Sequence, residues 1–515
     1  MQEVQSENGG RQIMAQIDEK VLWGAAEKLR DKCDPADYKN VVLGLVFLKY
    51  VSDRYEAEYK KLKADGNQDD SDYYIADHVF LNPSKYELNG HWVEIPERNV
   101  WKEVSAHSKD SSLGQIIDSM FIAIEKENEQ LKGILPKTYS KSDLDKTALG
   151  ELVDFFTNNL NMTDADGDFF GQVYEYYIGA FATYIPQKGG EFFTPKSIVE
   201  LMVDILQPSR GRVFDPCCGS GGMFVQCEKF VKEHQGLVDD LSIYGQEVNP
   251  GTWKMAKMNL AIRGIEGDLG DHNGDSFTED LHKSLRADYI LANPPYNLKE
   301  YWKPSLEGDP RWVFGTPDKK NANYAWLELM YSKLAPNGKA AILMPNGATT
   351  SNGTDAEVRQ RMIEAGKVDA IIDLPDKLFS NTGISVQCWV LNRAKTNTDV
   401  LFVSASNMGR MISRKIRVLD PEDIKKVADT YHAYKKGEGY EDKLGFCKKA
   451  SIQEIKEKDY SLNPGRYIGV DDSNKMTPEE IQAELKKTSE ELFKLMEEGK
   501  ELEDKVKQIL IEEMK

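Results

Sequence analysis

The chain has 515 residues and a mass of 58.3 kDa, which exceeds one ordinary domain and predicts about two to four. The 66 Lys and Arg against 85 Asp and Glu give a net charge of −19, which excludes a freestanding protein held on nucleic acid by a basic surface. The longest apolar run, residues 41–48, is far shorter than the ~18 residues of a membrane span. The polar first ten residues have no signal-peptide core, so we expect a cytoplasmic protein without a membrane partner.

Cysteine and histidine usage predicts neither a disulfide framework nor a metal site. The 6 cysteines contain no C-x-x-C pair, and the 7 histidines are scattered without metal-ligand spacing. The adjacent Cys217 and Cys218 are interpreted as small residues of a tight turn.

Residues 11–160 are predicted to form a helical N-terminal domain. Apolar residues recur there at helical spacing, as in Val21, Leu22, Ala25 and Leu29, and polar loops interrupt them.

Residues 165–400 are predicted to form an α/β domain with a doubly wound, mostly parallel sheet. Short apolar segments alternate with helices, and this alternation is typical of parallel sheets. The predicted strands are 212–215, 242–247, 289–292, 340–344, 370–374 and 386–391. We expect the last two to form an antiparallel appendage at the sheet edge, and residues 401–470 to form a C-terminal extension.

Residues 477–515 are predicted to form a coiled-coil helix for subunit assembly. Thr477-Pro478-Glu479-Glu480 is a strong helix start. A heptad seam follows, flanked by Glu and Lys. The seam residues are Ile481, Leu485, Thr488, Leu492, Leu495, Gly499, Leu502, Val506 and Ile509. The alternative is an amphipathic helix packed on its own chain.

A glycine-rich turn follows the first predicted strand of the α/β domain. Its candidate ligand-binding residues are Asp215, Gly219, Ser220, Gly221 and Gly222. Glycines permit positive φ and close approach of a ligand, and doubly wound folds hold nucleotides at such a turn. No Lys follows the glycines and G-x-G-x-x-G is absent, which disfavours a phosphate loop and a dinucleotide. A purely structural turn remains the alternative.

Two acidic residues suit a nucleoside bound beside this turn. Glu247 ends the next predicted strand, where a carboxylate can accept hydrogen bonds from ribose hydroxyls. Asp275 follows in a loop, where its carboxylate can accept from an adenine amino group. Each residue alone is a weak signal.

The tetrapeptide Asn293-Pro294-Pro295-Tyr296 carries the most specific signal. It resembles the N-P-P-[YF] signature of amino-group methyltransferases that use S-adenosylmethionine. The Asn293 side-chain oxygen and the Pro294 carbonyl can accept hydrogen bonds from an exocyclic amine and favour its tetrahedral transition state. The two prolines stiffen the loop, and Tyr296 offers a face for an extruded base.

Neighbouring segments narrow the resemblance to the modification subunit of type I restriction–modification systems, the HsdM family. The segments are residues 170–178, 188–196 and 460–467. The resemblance implies that the segment G-E-F-F-T-P-K folds over the cofactor. By resemblance, this adds the cofactor-binding candidates Glu191, Phe192, Phe193, Thr194, Pro195 and Lys196.

The resemblance implies an N6-adenine methyltransferase of the γ class that acts on double-stranded DNA. No base-reading domain follows the N-P-P-Y segment, which favours a separate specificity subunit. The family implies two modification subunits for each specificity subunit, joined by restriction subunits in the full complex. The alternatives are a protein-glutamine or RNA N-methyltransferase and a non-catalytic assembly scaffold.

Overall fold

The computed structural model describes residues 19–30, 32, 35–64, 79–160, 169–184, 194–234, 240–379 and 385–469, with ten positions between 482 and 502. None of the helices in these parts of the chain is both long enough and apolar enough to cross a bilayer.

Helices dominate the N-terminal region, as predicted, and one hairpin is inserted among them. The helices are α1 (Glu19–Glu27), α2 (Pro35–Ala64), α3 (Val100–Ala106), α4 (Leu113–Glu127) and α5 (Lys146–Asn159). Strands β1 (Lys85–Leu88) and β2 (His91–Glu94) form the antiparallel hairpin. Its turn residues Asn89 and Gly90 have φ of 51° and 80°, the positive values that a two-residue hairpin turn requires.

Helix α6 (Phe169–Tyr184) packs with this N-terminal bundle. Its residues Val173, Tyr174 and Tyr177 share one buried core with α1, α2, α4 and α5. The Tyr177 hydroxyl also donates to the Leu22 carbonyl over 3.0 Å. The predicted catalytic region, residues 165–400, therefore supplies helix α6 to the N-terminal core.

A nine-stranded mixed sheet forms the centre of the rest of the chain. Its strands are β3 (Gly211–Asp215), β4 (Leu241–Gly245), β5 (Gly267–Asp268), β6 (Ala287–Ala292), β7 (Leu334–Pro345), β8 (Val368–Asp373), β9 (Val386–Asn392), β10 (Val400–Ser404) and β13 (Cys447–Ala450). The spatial order is β13-β10-β8-β9-β7-β6-β3-β4-β5. The six predicted strands are confirmed as β3, β4, β6, β7, β8 and β9. A small hairpin, β11 (Arg410–Met411) with β12 (Arg417–Val418), lies outside this sheet.

The position predicted for β9 is wrong. It pairs antiparallel with β8, as expected, but also with β7, so it lies inside the sheet and not at its edge. All its residues are buried, and Cys388 and Trp389 point to opposite cores. The sheet then continues through β10 and β13, so the predicted boundary at residue 400 coincides with the start of another strand.

Helices cover both faces of this sheet. They are α7 (Lys196–Leu206), α8 (Gly222–Glu233), α9 (Pro250–Ile262), α10 (Asn323–Lys333), α11 (Thr354–Glu364), α12 (Pro421–Lys436) and α13 (Ile452–Glu457). Helix α9 joins the two parts of the molecule, because Trp253 and Leu260 pack in the sheet core while Met255 and Met258 pack in the N-terminal core.

Most of the predicted coiled coil lies outside the described residues. Of its nine seam positions, Leu485, Thr488, Gly499 and Leu502 are described, and all four are helical. Leu485 and Leu502 are 62% and 61% exposed. The coil remains a prediction.

A buried carboxylate ties α12 to the sheet. Asp369 on β8 is fully buried, and its Oδ2 lies 2.8 Å from Lys435 Nζ and accepts from the Tyr431 hydroxyl over 2.9 Å. The buried Lys395 ammonium lies 3.8 Å from Oδ1, and burial lowers the pKa of Lys395 to about 8. Asp369 is thus the counter-charge for two lysines.

We expect Asp369→Asn to lower the free energy of unfolding by roughly 3–5 kcal/mol, because it leaves a buried ammonium without its counter-ion. Urea unfolding followed by circular dichroism measures this. The control is Asp429→Asn, which removes an α12 pair with Lys425 whose side chains are 62% and 75% exposed. Its expected cost is below about 1 kcal/mol. Equal urea midpoints for the two variants would contradict a structural role for Asp369.

Candidate functional site

Three parallel strands bring the predicted site segments to one edge of the sheet. Strand β3 pairs in parallel with β4 on one side and with β6 on the other. Their carboxyl ends lead into Asp215, Glu247 and Asn293, in line with the rule that open α/β sheets bind ligands at this edge.

The glycine-rich turn after β3 is held by hydrogen bonds within the protein. Asp215 Oδ1 accepts from the Cys217 backbone N–H over 3.0 Å, and the Cys218 N–H donates to the Gln246 carbonyl over 2.9 Å. Gly219 and Gly221 have φ of 53° and 79°, which a side chain would disfavour. A Cβ at Gly219 would meet nothing within 4 Å, so the backbone here faces open space.

The chemistry of the two cysteines matches a structural turn. Both thiols are free, and burial raises their pKa well above the ordinary value, so they stay protonated. Within the described residues, no group of three His, Cys, Asp or Glu side chains is placed to hold a metal ion.

Glu247 braces the turn from the neighbouring strand. Its Oε2 accepts from the Gly219 N–H over 3.0 Å, and its Oε1 accepts from the Asn249 N–H over 2.8 Å. Asn249 in turn caps α9 by accepting from the Gly251 and Thr252 N–H groups. Glu247 lies two residues beyond β4 and fixes the spacing between the turn and α9.

The loop that carries Asp275 lies against Glu247. The Gly274 N–H donates to the Glu247 carbonyl over 2.9 Å. Asp275 accepts from the Phe277 N–H and from the Thr278 hydroxyl, each over 2.9 Å. Both residues line the same cavity, and hydrogen bonds fix the positions of their carboxylates.

Asn293 is held at both ends of its side-chain amide. Its Nδ2 donates to Thr194 Oγ1 over 2.9 Å, and its Oδ1 accepts from the Tyr296 hydroxyl. The Tyr296 ring packs against the sheet core, and burial raises the pKa of its hydroxyl. In this structure Tyr296 holds the Asn293 side chain through this hydrogen bond and does not line the cavity.

The cavity has a volume of about 370 Å³ and lies between the sheet edge and the N-terminal helices. The predicted residues that line it are Gly219, Ser220, Glu247, Asp275, Asn293 and Pro295. The predicted residues outside its lining are Thr194, Pro195, Lys196, Asp215, Gly221, Gly222, Pro294 and Tyr296. The predicted Glu191, Phe192 and Phe193 lie outside the described residues.

Sequence reasoning missed the wall that the N-terminal helices contribute. Lys39 and Leu43 on α2 and Ile178 and Phe181 on α6 line the cavity. Leu43 lies in the apolar run 41–48 and Ile178 in the segment 170–178, but neither pattern shows which face meets the cavity. Lys39 and Phe181 lie outside both segments. Among the described lining residues Lys39 is the one cation, whereas Glu247, Asp275 and Glu300 are acidic.

A chain of hydrogen bonds links α6 to the glycine-rich turn. Arg263 donates to the Gly171 carbonyl over 2.7 Å and pairs with Glu175 over 3.2 Å, both on α6. The same guanidinium donates to Asn259 Oδ1, and Asn259 Nδ2 donates to the Ser220 carbonyl over 2.7 Å. The turn is thus connected to the N-terminal bundle through two residues at the end of α9.

Asp215 is expected to reduce stability as the pH rises. Burial raises its pKa to about 7, against roughly 3.9 in an unfolded chain, so folding favours the protonated carboxyl. The contribution of Asp215 to the free energy of unfolding is therefore greatest at low pH. It is lost as the pH rises through the folded pKa. Between about pH 5.5 and 8 we expect the free energy of unfolding of the parent protein to fall by roughly 2 kcal/mol relative to that of Asp215→Asn. Urea unfolding measures both values.

The matched control for this measurement is Asp288→Asn. Burial opposes ionisation of Asp288, but hydrogen bonds from Arg212 hold its pKa below the usual value. Its carboxylate is ionised throughout the range, so the stability difference should not change with pH. A constant difference for Asp215→Asn as well would overturn the assignment of a raised pKa.

Comparisons with known proteins match both parts of the chain. Residues 165–476 match the family model described as N-6 DNA Methylase, and residues 19–156 match the HsdM N-terminal domain. The chain is 45% identical over 386 residues to the type I restriction enzyme HindI methylase subunit of Haemophilus influenzae, covering 73% of this chain and 87% of the relative. It is 37% identical to the MjaIX methylase subunit of Methanocaldococcus jannaschii, covering 96% of this chain and 90% of the relative.

A solved structure agrees with these relatives. The type I restriction–modification methyltransferase subunit of Streptococcus thermophilus has a TM-score of 0.73 and 26% identity, over 89% of this chain and 100% of that one. The chain therefore belongs to the N-6 DNA methylase family and, within it, to the methylase subunits of type I restriction enzymes.

Proposed function

We propose that this chain is the catalytic subunit that transfers a methyl group from S-adenosylmethionine to the N6 amine of adenine in double-stranded DNA. The observation that carries the proposal is the position of Asn293 beside the cavity that the glycine-rich turn and Glu247 also line. A hydrogen-bond acceptor for an amine then lies next to a site suited to a nucleoside.

The cavity residues fit S-adenosylmethionine. Glu247 offers carboxylate oxygens for ribose hydroxyls, and Asp275 offers an acceptor for an adenine amino group. The open space at Gly219 admits a ligand to the backbone. Three lining carboxylates against Lys39 suit a ligand that carries a sulfonium cation. When bound, the cofactor supplies an electrophilic methyl group.

Asn293 and Pro294 would act on the target amine. The lone pair of an adenine amine is delocalised into the ring, which makes it a poor nucleophile. The Asn293 Oδ1 and the Pro294 carbonyl can accept its two N–H groups and favour the tetrahedral nitrogen of the transition state. No general base is needed before attack, because the proton leaves after the methyl group has been transferred.

An extruded adenine needs an apolar surface on which to stack. Tyr296 was predicted for this role from the sequence, and its ring would have to leave the core to fill it. Tyr301 and Trp326 already line the cavity with large aromatic side chains. We propose that the stacking surface includes at least one of these two residues.

The proposed partners are DNA, a specificity subunit and, in the full complex, restriction subunits. We propose two copies of this chain for each specificity subunit. The described helical positions near the C-terminus include four large apolar side chains, each at least 61% exposed. They are Leu485, Phe493, Met496 and Leu502. Leu485 and Leu502 lie on the predicted heptad seam, and exposed apolar side chains are typical of a surface that another chain covers.

Replacing Asn293 with Ala should abolish methylation and leave cofactor affinity unchanged. The loss of one amine acceptor corresponds to roughly 10²–10³ in rate, by analogy with removal of an oxyanion-hole donor. Single-turnover transfer of a labelled methyl group to duplex DNA measures it, with RNA and protein substrates run in parallel. Calorimetry with S-adenosylmethionine gives the affinity. A near-normal rate would exclude Asn293 from catalysis, and transfer to RNA or protein alone would replace the proposed substrate.

Removing residues 477–515 should leave cofactor binding intact and abolish co-purification with the specificity subunit. If the heptad seam forms the contact, Leu485→Asp with Leu502→Asp should weaken assembly. Phe493→Asp with Met496→Asp is the matched pair, because these residues are equally exposed but lie outside the seam. Equal losses of assembly in the two double variants would contradict a contact through the seam. Normal assembly of the truncated chain would contradict any role of residues 477–515 in assembly.

A further inference from the structure

The two ends of the Asn293 amide are chemically opposite, and catalysis needs one of them. An amine donor can be accepted by Oδ1 but is repelled by the Nδ2 group, which is itself a donor. A rotation of about 180° about the last side-chain torsion exchanges the two ends, because that torsion is broad and roughly two-fold. Something other than the asparagine itself must select the productive orientation.

Thr194 is placed to make this selection. Asn293 Nδ2 donates to its Oγ1 over 2.9 Å, across 99 residues of sequence. Thr194 directly precedes Pro195, the N-cap of α7, and eight of the eleven residues of α7 are buried. The hydroxyl is therefore carried by an element packed against the sheet.

The other partner of the amide does not fix its orientation. The Tyr296 hydroxyl meets Oδ1, but a hydroxyl can donate or accept and so tolerates either end of the amide. Thr194 has the same ambiguity as a hydroxyl, but once it donates its own proton elsewhere its Oγ1 can only accept from Nδ2, as it does in this structure.

We infer that Thr194 is a positioning residue that holds the Asn293 amide with its oxygen toward the target amine. This role rests on the function proposed for Asn293 and goes beyond the cofactor contact predicted for Thr194 from the sequence. Thr194 and the N-P-P-Y loop would then form one functional unit.

A double-mutant cycle in the complex with the specificity subunit tests the inference. Thr194→Val removes the hydroxyl at nearly constant volume, and we expect the single-turnover methylation rate to fall about tenfold. Thr194→Ser keeps the hydroxyl and should retain most of the rate. Asn293→Asp places an acceptor at both ends, so orientation no longer matters. In the Asn293→Asp background, Thr194→Val should lower the methylation rate by at most about twofold.

A second readout does not depend on catalysis. Each variant is bound to duplex DNA that carries either adenine or purine, which lacks the amine, at the target position. The parent protein should gain affinity from the amine, and Thr194→Val should lose most of this adenine-to-purine ratio. The cost of extruding each base cancels when the ratios of two proteins are compared. Calorimetry with S-adenosylmethionine, done in parallel, reports any loss of cofactor affinity.

The outcomes separate this inference from the proposed function. An unchanged adenine-to-purine ratio for Thr194→Val, or equal rate losses in both backgrounds, would overturn the positioning role. If Asn293→Asp is inactive, the adenine-to-purine ratio alone decides. If Asn293→Ala retains methylation, the proposed function fails first, whatever Thr194 does.

Discussion

The parallel pairing of β3 with β4 on one side and β6 on the other is the constraint from which the site follows. Parallel strands end at the same edge, so Asp215, Glu247 and Asn293 meet there although 78 residues separate the first from the last. The cavity forms where the helices of the N-terminal bundle cover this edge. Neither part of the molecule encloses it alone, since α2 and α6 supply one wall and the strand ends supply the other.

Within the site, several residues predicted to touch a ligand serve first to build the protein. Asp215 closes the turn, Glu247 braces it, and Tyr296 holds Asn293. Such internal bonds fix the positions of the polar groups in advance, and preorganisation lowers the cost of binding and of reaching a transition state. The raised pKa of Asp215 reflects the energetic cost of this arrangement, because the carboxyl is buried without a cationic partner in the described structure.

The sequence predicted the family and the six strands, and these are confirmed. Each of these depends on local signals, namely apolar runs, glycines and a proline-stiffened tetrapeptide. The insertion of β9 between β7 and β8 is a matter of long-range pairing, which the residues of β9 do not encode by themselves. The same holds for Lys39 and Phe181, because the face of a helix that meets a cavity depends on how distant elements pack.

The Arg263 connection joins the glycine-rich turn beside the cavity to the N-terminal bundle through direct hydrogen bonds. Any rearrangement that moved α6 away from α9 would break the contacts of Arg263 with Glu175 and Gly171. It would also disturb Asn259, which donates to the Ser220 carbonyl. Linkage is reciprocal: if closure of the bundle tightens a ligand at the turn by some factor, the ligand favours closure by the same factor. In a protein linked in this way, occupancy of the cavity and the arrangement of the helices would each influence the other.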